Sequence, residues 1–155
     1  MSDEAGVVVA IVMVIVFILI LYIPWIFYLV SMHKALNRVA PERRKTTPLI
    51  IWLNLLPLVN LVTHFFMVSG IADSLADEYY YRNLPLADQR PGYTMGLVTS
   101  ILLVLSMIPW LGMLFSMGAL VTWIIYWVQI ADFSRTISTP YTPPEAEALP
   151  SNAGE

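Results

Sequence analysis

Within the apolar run IIWLNLLPLVNLVTHFF, residues 50–66, four side chains carry chemistry that hydrocarbon resists: Asn54, Pro57, Asn60 and His64. At about 100° per residue on a helix, Asn60 and His64 share a face, Pro57 lies close to it and Asn54 sits further round. Two roles follow. In the first, Pro57 kinks the helix and frees the Leu53 carbonyl, and the amides and imidazole satisfy such groups or bond to a facing helix. Contacts of that kind average about 0.6 kcal/mol in membranes. In the second, the same side chains line a hydrated pocket in which His64 titrates near neutral pH. No Asp, Glu, Lys or Arg lies deep in any apolar run. A proton or ion relay usually uses one, so the balance favours polar contacts that hold helices together.

A second group is acidic: Asp73, Asp77 and Glu78, with Asp132 further on. Oxygen ligands of this type can hold a divalent cation, or they can form a solvated face. The solvated face is the expectation, and no metal or other cofactor is called for. A third group is basic. Lys34, Arg38, Arg43, Arg44 and Lys45 crowd the segment 33–47, where they can meet anionic headgroups at about 1 kcal/mol per residue, or serve only to orient the chain. No nucleophile–base pair, phosphate-cradling glycine loop or zinc spacing is present, so an enzyme is not expected.

The elements that must position these groups are long and greasy. Of 155 residues, 58% are hydrophobic and 12% charged, where soluble domains run roughly 45–50% and about 25%. Mean hydropathy is +0.71. There is no cysteine, which excludes disulfides and thiolate sites, and eight Lys and Arg are too few for an extended nucleic-acid surface. The acidic start MSDEAG lacks the basic n-region of a secretory signal, so the first apolar run should stay in place.

Spans are expected at about residues 7–29, 48–71, 93–107 and 111–131. Tyr22, Trp25 and Tyr28 read as an interfacial belt, with Pro24 kinking the exit. Residues 91–131 form an uncharged run that must fold back, and the break falls at Pro109 and Gly112. Residues 70–84 continue at helical spacing as an amphipathic extension, with Glu78 and Arg82 as a surface i,i+4 pair. Gly96 with Ser100, and Gly112 with Ser116, are small-residue pairs that can serve the fold or an oligomer. The tail, 138–155, has the composition of a disordered segment. The fold class is therefore all-α, a four-helix integral membrane bundle in one domain, 1–137.

With four crossings, Arg82, Arg90 and Arg135 fall opposite the 33–47 loop. Five basic residues against three place that loop in the cytoplasm and both termini outside. An offset of 59 aligns Leu55, Leu61, Val62, Thr63, Ile71, Ala72 and Asp73 with identical residues from Leu114 to Asp132, and Ile-Pro-Trp recurs at 23–25 and 108–110. This pattern points to two tandem helical hairpins of one orientation.

The stretch Trp52–Leu61, with Trp, then Pro57, then Asn60-Leu61, resembles a motif of small uncharacterised bacterial polytopic membrane proteins of the domain-of-unknown-function kind. The likeness covers about the middle third of the chain. It implies a bacterial inner-membrane protein and carries no activity. The function expected is that of a structural or accessory membrane subunit, working through contacts with lipid, with other membrane proteins or with itself. A transporter or channel component with a path at Asn60 and His64 is the first rival. A membrane enzyme using the acidic cluster is the second.

Overall fold

The computed structural model describes residues 3–137; the tail assigned to 138–155 lies outside them. The described residues are helical, with no strand. The helices are α1 (Asp3–Asn37), α2 (Pro48–Leu53), α3 (Pro57–Tyr81), α4 (Tyr93–Leu105) and α5 (Gly112–Thr136), with one 3-10 turn, Pro41–Arg43. Glu4–Asn37, Pro57–Tyr81 and Gly112–Thr136 are each long and apolar enough to cross a membrane; α4 is shorter.

The contacts fix directions. Tyr28 meets His64, and Ala40, just past α1, meets Glu78, so α1 and α3 run parallel. Trp25 meets Trp123 and Arg38 meets Ser134, so α5 runs with them. On α4, Ser100 meets His64 and Gly96 meets Val68, which makes α4 antiparallel to α3. On the α2 segment, Thr46 packs on Gly70 and Asn54 on Met67, so α2 also runs against α3. The architecture is one long helix, α1, beside two helical hairpins, α2–α3 and α4–α5, that enter from the same end.

This corrects the sequence reading in three places. Residues 48–71 are not one helix. The chain reverses at 54–56, and Pro57 opens α3 instead of kinking it, its missing N–H falling where no intrahelical bond is made. Pro109 likewise lies in the turn between α4 and α5, whereas α1 continues through Pro24 to Asn37.

Second, Arg82, Arg90 and Arg135 are not opposite the 33–47 loop. Arg82 shares Glu78 with Arg43. Arg90 holds Asp73, one helical turn from Glu78, and Arg135 follows Ser134, which Arg38 holds. All eight Lys and Arg of the chain therefore gather at one end, and α5 finishes there too. The α2–α3 hairpin adds one reversal that the four-crossing scheme did not have, and this changes which side every later loop occupies.

Third, the proposed halves do not correspond. α3 and α5, which carry the matching residues, are parallel, but α1 and α4 run oppositely, and the two Ile-Pro-Trp triplets lie in a helix and in a turn. The units of like orientation are α2–α3 and α4–α5.

The core sits toward the basic end. Tyr28, Leu29, Met32 and Leu36 of α1 pack with Ile71 and Leu75 of α3 and with Tyr126 and Ile130 of α5. Close approach needs glycine at two places. A Cβ on Gly96 would lie 2.5 Å from Val68 Cγ1 and 2.9 Å from the Tyr126 ring, and one on Gly70 would collide with the Thr46 side chain. The Gly96–Ser100 pair thus serves the fold of a single chain. The amphipathic extension completes α3, whose end is closed by Asn83 at φ 53°. Asn83 N–H donates to the Tyr80 carbonyl and Leu84 N–H to that of Tyr79, the paired bonds of a Schellman cap. Away from the core, α1 from Val7 to Ile23 is apolar and exposed.

Candidate functional site

His64 lies fully buried where α1, α3 and α4 meet. Its Nε2 is 3.1 Å from the Tyr28 hydroxyl and its Nδ1 is 2.7 Å from Ser100 Oγ. Ser100 donates its one hydrogen to the Gly96 carbonyl at 2.9 Å. It must therefore accept from Nδ1–H, which leaves Nε2 to accept from Tyr28. Both ring nitrogens of a neutral imidazole are thus satisfied. Trp25, Trp123, Tyr126 and Trp127 surround the Tyr28–His64 pair, with ring centroids 5.2–6.4 Å apart. Tyr28 and Trp25 are core residues of this cluster, not members of an interfacial belt.

One helical turn toward the far end is a cavity of about 490 Å³. Its walls are α1 from Ile20 to Trp25, the α2–α3 tip, the end of α4 and the first half of α5. Asn54 and Asn60 both line it, with Trp123 across from them on α5. The Trp25 indole N–H donates to the Asn54 carbonyl at 3.1 Å, closing the end of α2. Asn54 Nδ2 donates to the Ile50 carbonyl at 2.7 Å. The amide oxygens of Asn54 and Asn60 and the indole N–H of Trp123 are buried without partners. His64, by contrast, does not line the cavity.

The acidic residues are brought to one end but not to one point. Glu78, 0% exposed, accepts from Arg43 Nε and Arg82 Nε at 2.7 Å each and from Ala40 N–H at 3.2 Å. Burial alone would push its carboxyl up; the bonds from Arg43, Arg82 and Ala40, with the Arg43 charge, hold it below the usual carboxylate value. The Glu78–Arg82 pair read as a surface contact is in fact half of a buried three-residue bridge. Asp73 is gripped by Arg90 at 2.7 and 2.9 Å, and its hydrogen bonds hold the guanidinium above its ordinary value. Asp77 pairs with Lys45 at 2.7 Å. Among the described residues no three His, Asp or Glu side chains gather to hold a metal.

In the basic loop, Arg38 binds the Ser134 carbonyl and hydroxyl, and Arg44 the Val39 carbonyl. Arg38 thus ties the loop to α5, while Arg44 closes the loop on itself. Sequence reasoning missed Trp123 and gave Trp25, Tyr28 and Ser100 other roles, an interfacial belt and a small-residue pair; the aromatics are scattered over 98 residues and meet only in the fold. Comparison with protein-family models, curated proteins and solved structures gives no match to this chain.

Proposed function

We propose that the chain is an integral membrane protein of the accessory or structural kind, with its basic end in the cytoplasm, acting through helix and lipid contacts. The gathering of all eight Lys and Arg at one end of three long apolar helices carries this reading. Basic residues flanking spans stay on the cytoplasmic side, and eight against none is a stronger bias than the five against three expected from the sequence. The exposed apolar surface of α1, from Val7 to Ile23, finds its natural solvent in hydrocarbon. On this reading α1 reaches across the bilayer and the two hairpins enter it from the basic side, the irregular α2–α3 tip sheltered by α1 and α5. In a bacterium, which the motif resemblance favours, the membrane is the inner one.

Support for an accessory role over transport comes from what surrounds His64. Both nitrogens are engaged, and Tyr28, Trp123, Tyr126 and Trp127 fill the space between the cavity and the basic end. Support against an enzyme comes from the acids: Asp73 is held by Arg90, Asp77 by Lys45, and Glu78 by both Arg43 and Arg82.

Membrane fractionation and reconstitution test the proposal. The chain is expected to resist alkaline extraction, to need detergent for release, and to pass no protons or alkali cations in proteoliposomes. A monodisperse chain in detergent-free buffer overturns the membrane reading. A flux lost in a folded His64→Leu variant overturns the accessory one.

A further inference from the structure

We infer that the cavity at the α2–α3 tip is a binding site for a neutral lipid alcohol: an apolar body with one free hydroxyl, entering from the bilayer. This rests on the membrane placement above. The cavity's size, about 490 Å³, falls within the range of small-molecule sites, roughly 300–1,000 Å³. Its walls carry no charged side chain, and most of them are aliphatic or aromatic. A charged headgroup would find no counter-charge there.

The polar groups narrow the ligand further. Ser106 and Ser116 also line the cavity, but their hydroxyls donate to the carbonyls of Leu103 and Gly112, at 2.7 Å each. What remains both buried and unpartnered is the amide oxygens of Asn54 and Asn60 and the Trp123 indole N–H. Asn54 is 1% exposed, and its own N–H groups are committed to Ile50 and Met67, so its oxygen has no local donor to turn to. The two ends of an amide are assigned only by their hydrogen bonds; with the Asn60 amide turned so that its NH2 faces the cavity, the site offers one acceptor, Asn54 Oδ1, and two donors, Asn60 N–H and Trp123 N–H, which match a hydroxyl that donates once and accepts twice. A ketone or ether has no hydrogen to give Asn54 Oδ1, and a carboxylate would bring a negative charge against that oxygen. One water could bridge the polar groups, but it would leave the apolar remainder of the space unfilled, since a water takes only about 30 Å³.

The test uses the purified full chain in micelles, titrated with a short-chain diacylglycerol, with the same molecule acetylated at its hydroxyl, and with the matching phosphatidic acid. Melting temperature and tryptophan quenching by brominated versions of each are read out. The free alcohol is expected to raise the melting temperature saturably and to bind at least about tenfold tighter than the capped analogue, because capping leaves buried groups unpaired. That preference should fall to within about threefold in Asn60→Leu and in the conservative Trp123→Phe, while both still bind the capped form. Equal binding of free and capped forms overturns the proposal in favour of unspecific apolar filling. No saturable binding overturns it in favour of ordered water. Preference for phosphatidic acid overturns the neutral-head assignment. Because the membrane reading is judged by extraction, failure here leaves that reading intact.

Discussion

Tyr28 and His64, 36 residues apart, meet at 3.1 Å with both side chains fully buried. The contact fixes the register of α1 against α3 and sets the imidazole tautomer through Ser100. Tyr28→Phe removes the donor to Nε2 and keeps the ring packing. A double-mutant cycle with His64→Leu, read by denaturation in micelles, should give a coupling of about 0.6 kcal/mol and no more than about 1.7 kcal/mol. A coupling indistinguishable from zero would mean that the two groups are not bonded.

Gly96 is where α4 touches α3 and α5. Alanine is normally the better helix former by about 1 kcal/mol, yet any Cβ here meets Val68 and Tyr126 well inside contact distance. Gly96→Val is expected to destabilise by about 1–3 kcal/mol through overpacking. Gly6→Ala, where a Cβ meets nothing within 4 Å, should be neutral or slightly stabilising. Thermal denaturation of the pair in one detergent compares them directly.

The Glu78 bridge makes stability depend on acid. Its carboxyl is held below its ordinary value of 4.5, so the folded state binds this proton less readily than the unfolded one. The stabilisation is complete above the unfolded value and is lost as pH falls through the folded one. Denaturation midpoints should therefore drop on acidification below about pH 4.5. In Glu78→Gln the midpoint should be lower at neutral pH and that acid-dependent step missing. A step of unchanged size in Glu78→Gln would assign it to other carboxyls.

The placement of the loops is testable because the chain has no cysteine of its own. Single cysteines at Glu42, Asp88 and Arg135 should all react with an impermeant thiol reagent from the same side of sealed vesicles. Cysteine at Glu4 should react only from the other side, and cysteine at Leu56 from neither. Four alternating crossings would instead put Asp88 and Arg135 on the side opposite Glu42.

Helix content and the long apolar runs were legible because they depend on local composition. The α4–α5 turn was legible for a different reason: an uncharged run of 41 residues from Pro91 to Ala131 is too long for one crossing. The α2–α3 turn hid in a run of ordinary length, where proline reads equally as a kink or as a first helical residue. Asn54, with Pro57 three residues on, did carry a stop signal, but Leu55 and Leu56 kept the apolar pattern unbroken across it. That miss moved three arginines to the wrong side. The Tyr28–His64–Ser100 contact was beyond reach, since it depends on how three separate helices are placed. The exposed-looking acids misled in the same way: nothing near Glu78 in sequence announces that Arg43, 35 residues away, will cover it.

On the membrane reading proposed above, the placement of the α2–α3 tip has a mechanical consequence. Five helices share the cross-section near the basic end. The α2–α3 tip lies beside Ile20 of α1, Ser106 of α4 and Ser116 of α5, so past it only the first part of α1 and the α4–α5 turn, with Trp110 fully bare, continue. Such a tapered solid would displace more lipid from one leaflet than from its opposite. Its insertion energy would then vary with the bending of the sheet around it, and the chain would concentrate where the leaflet on its broad side is stretched.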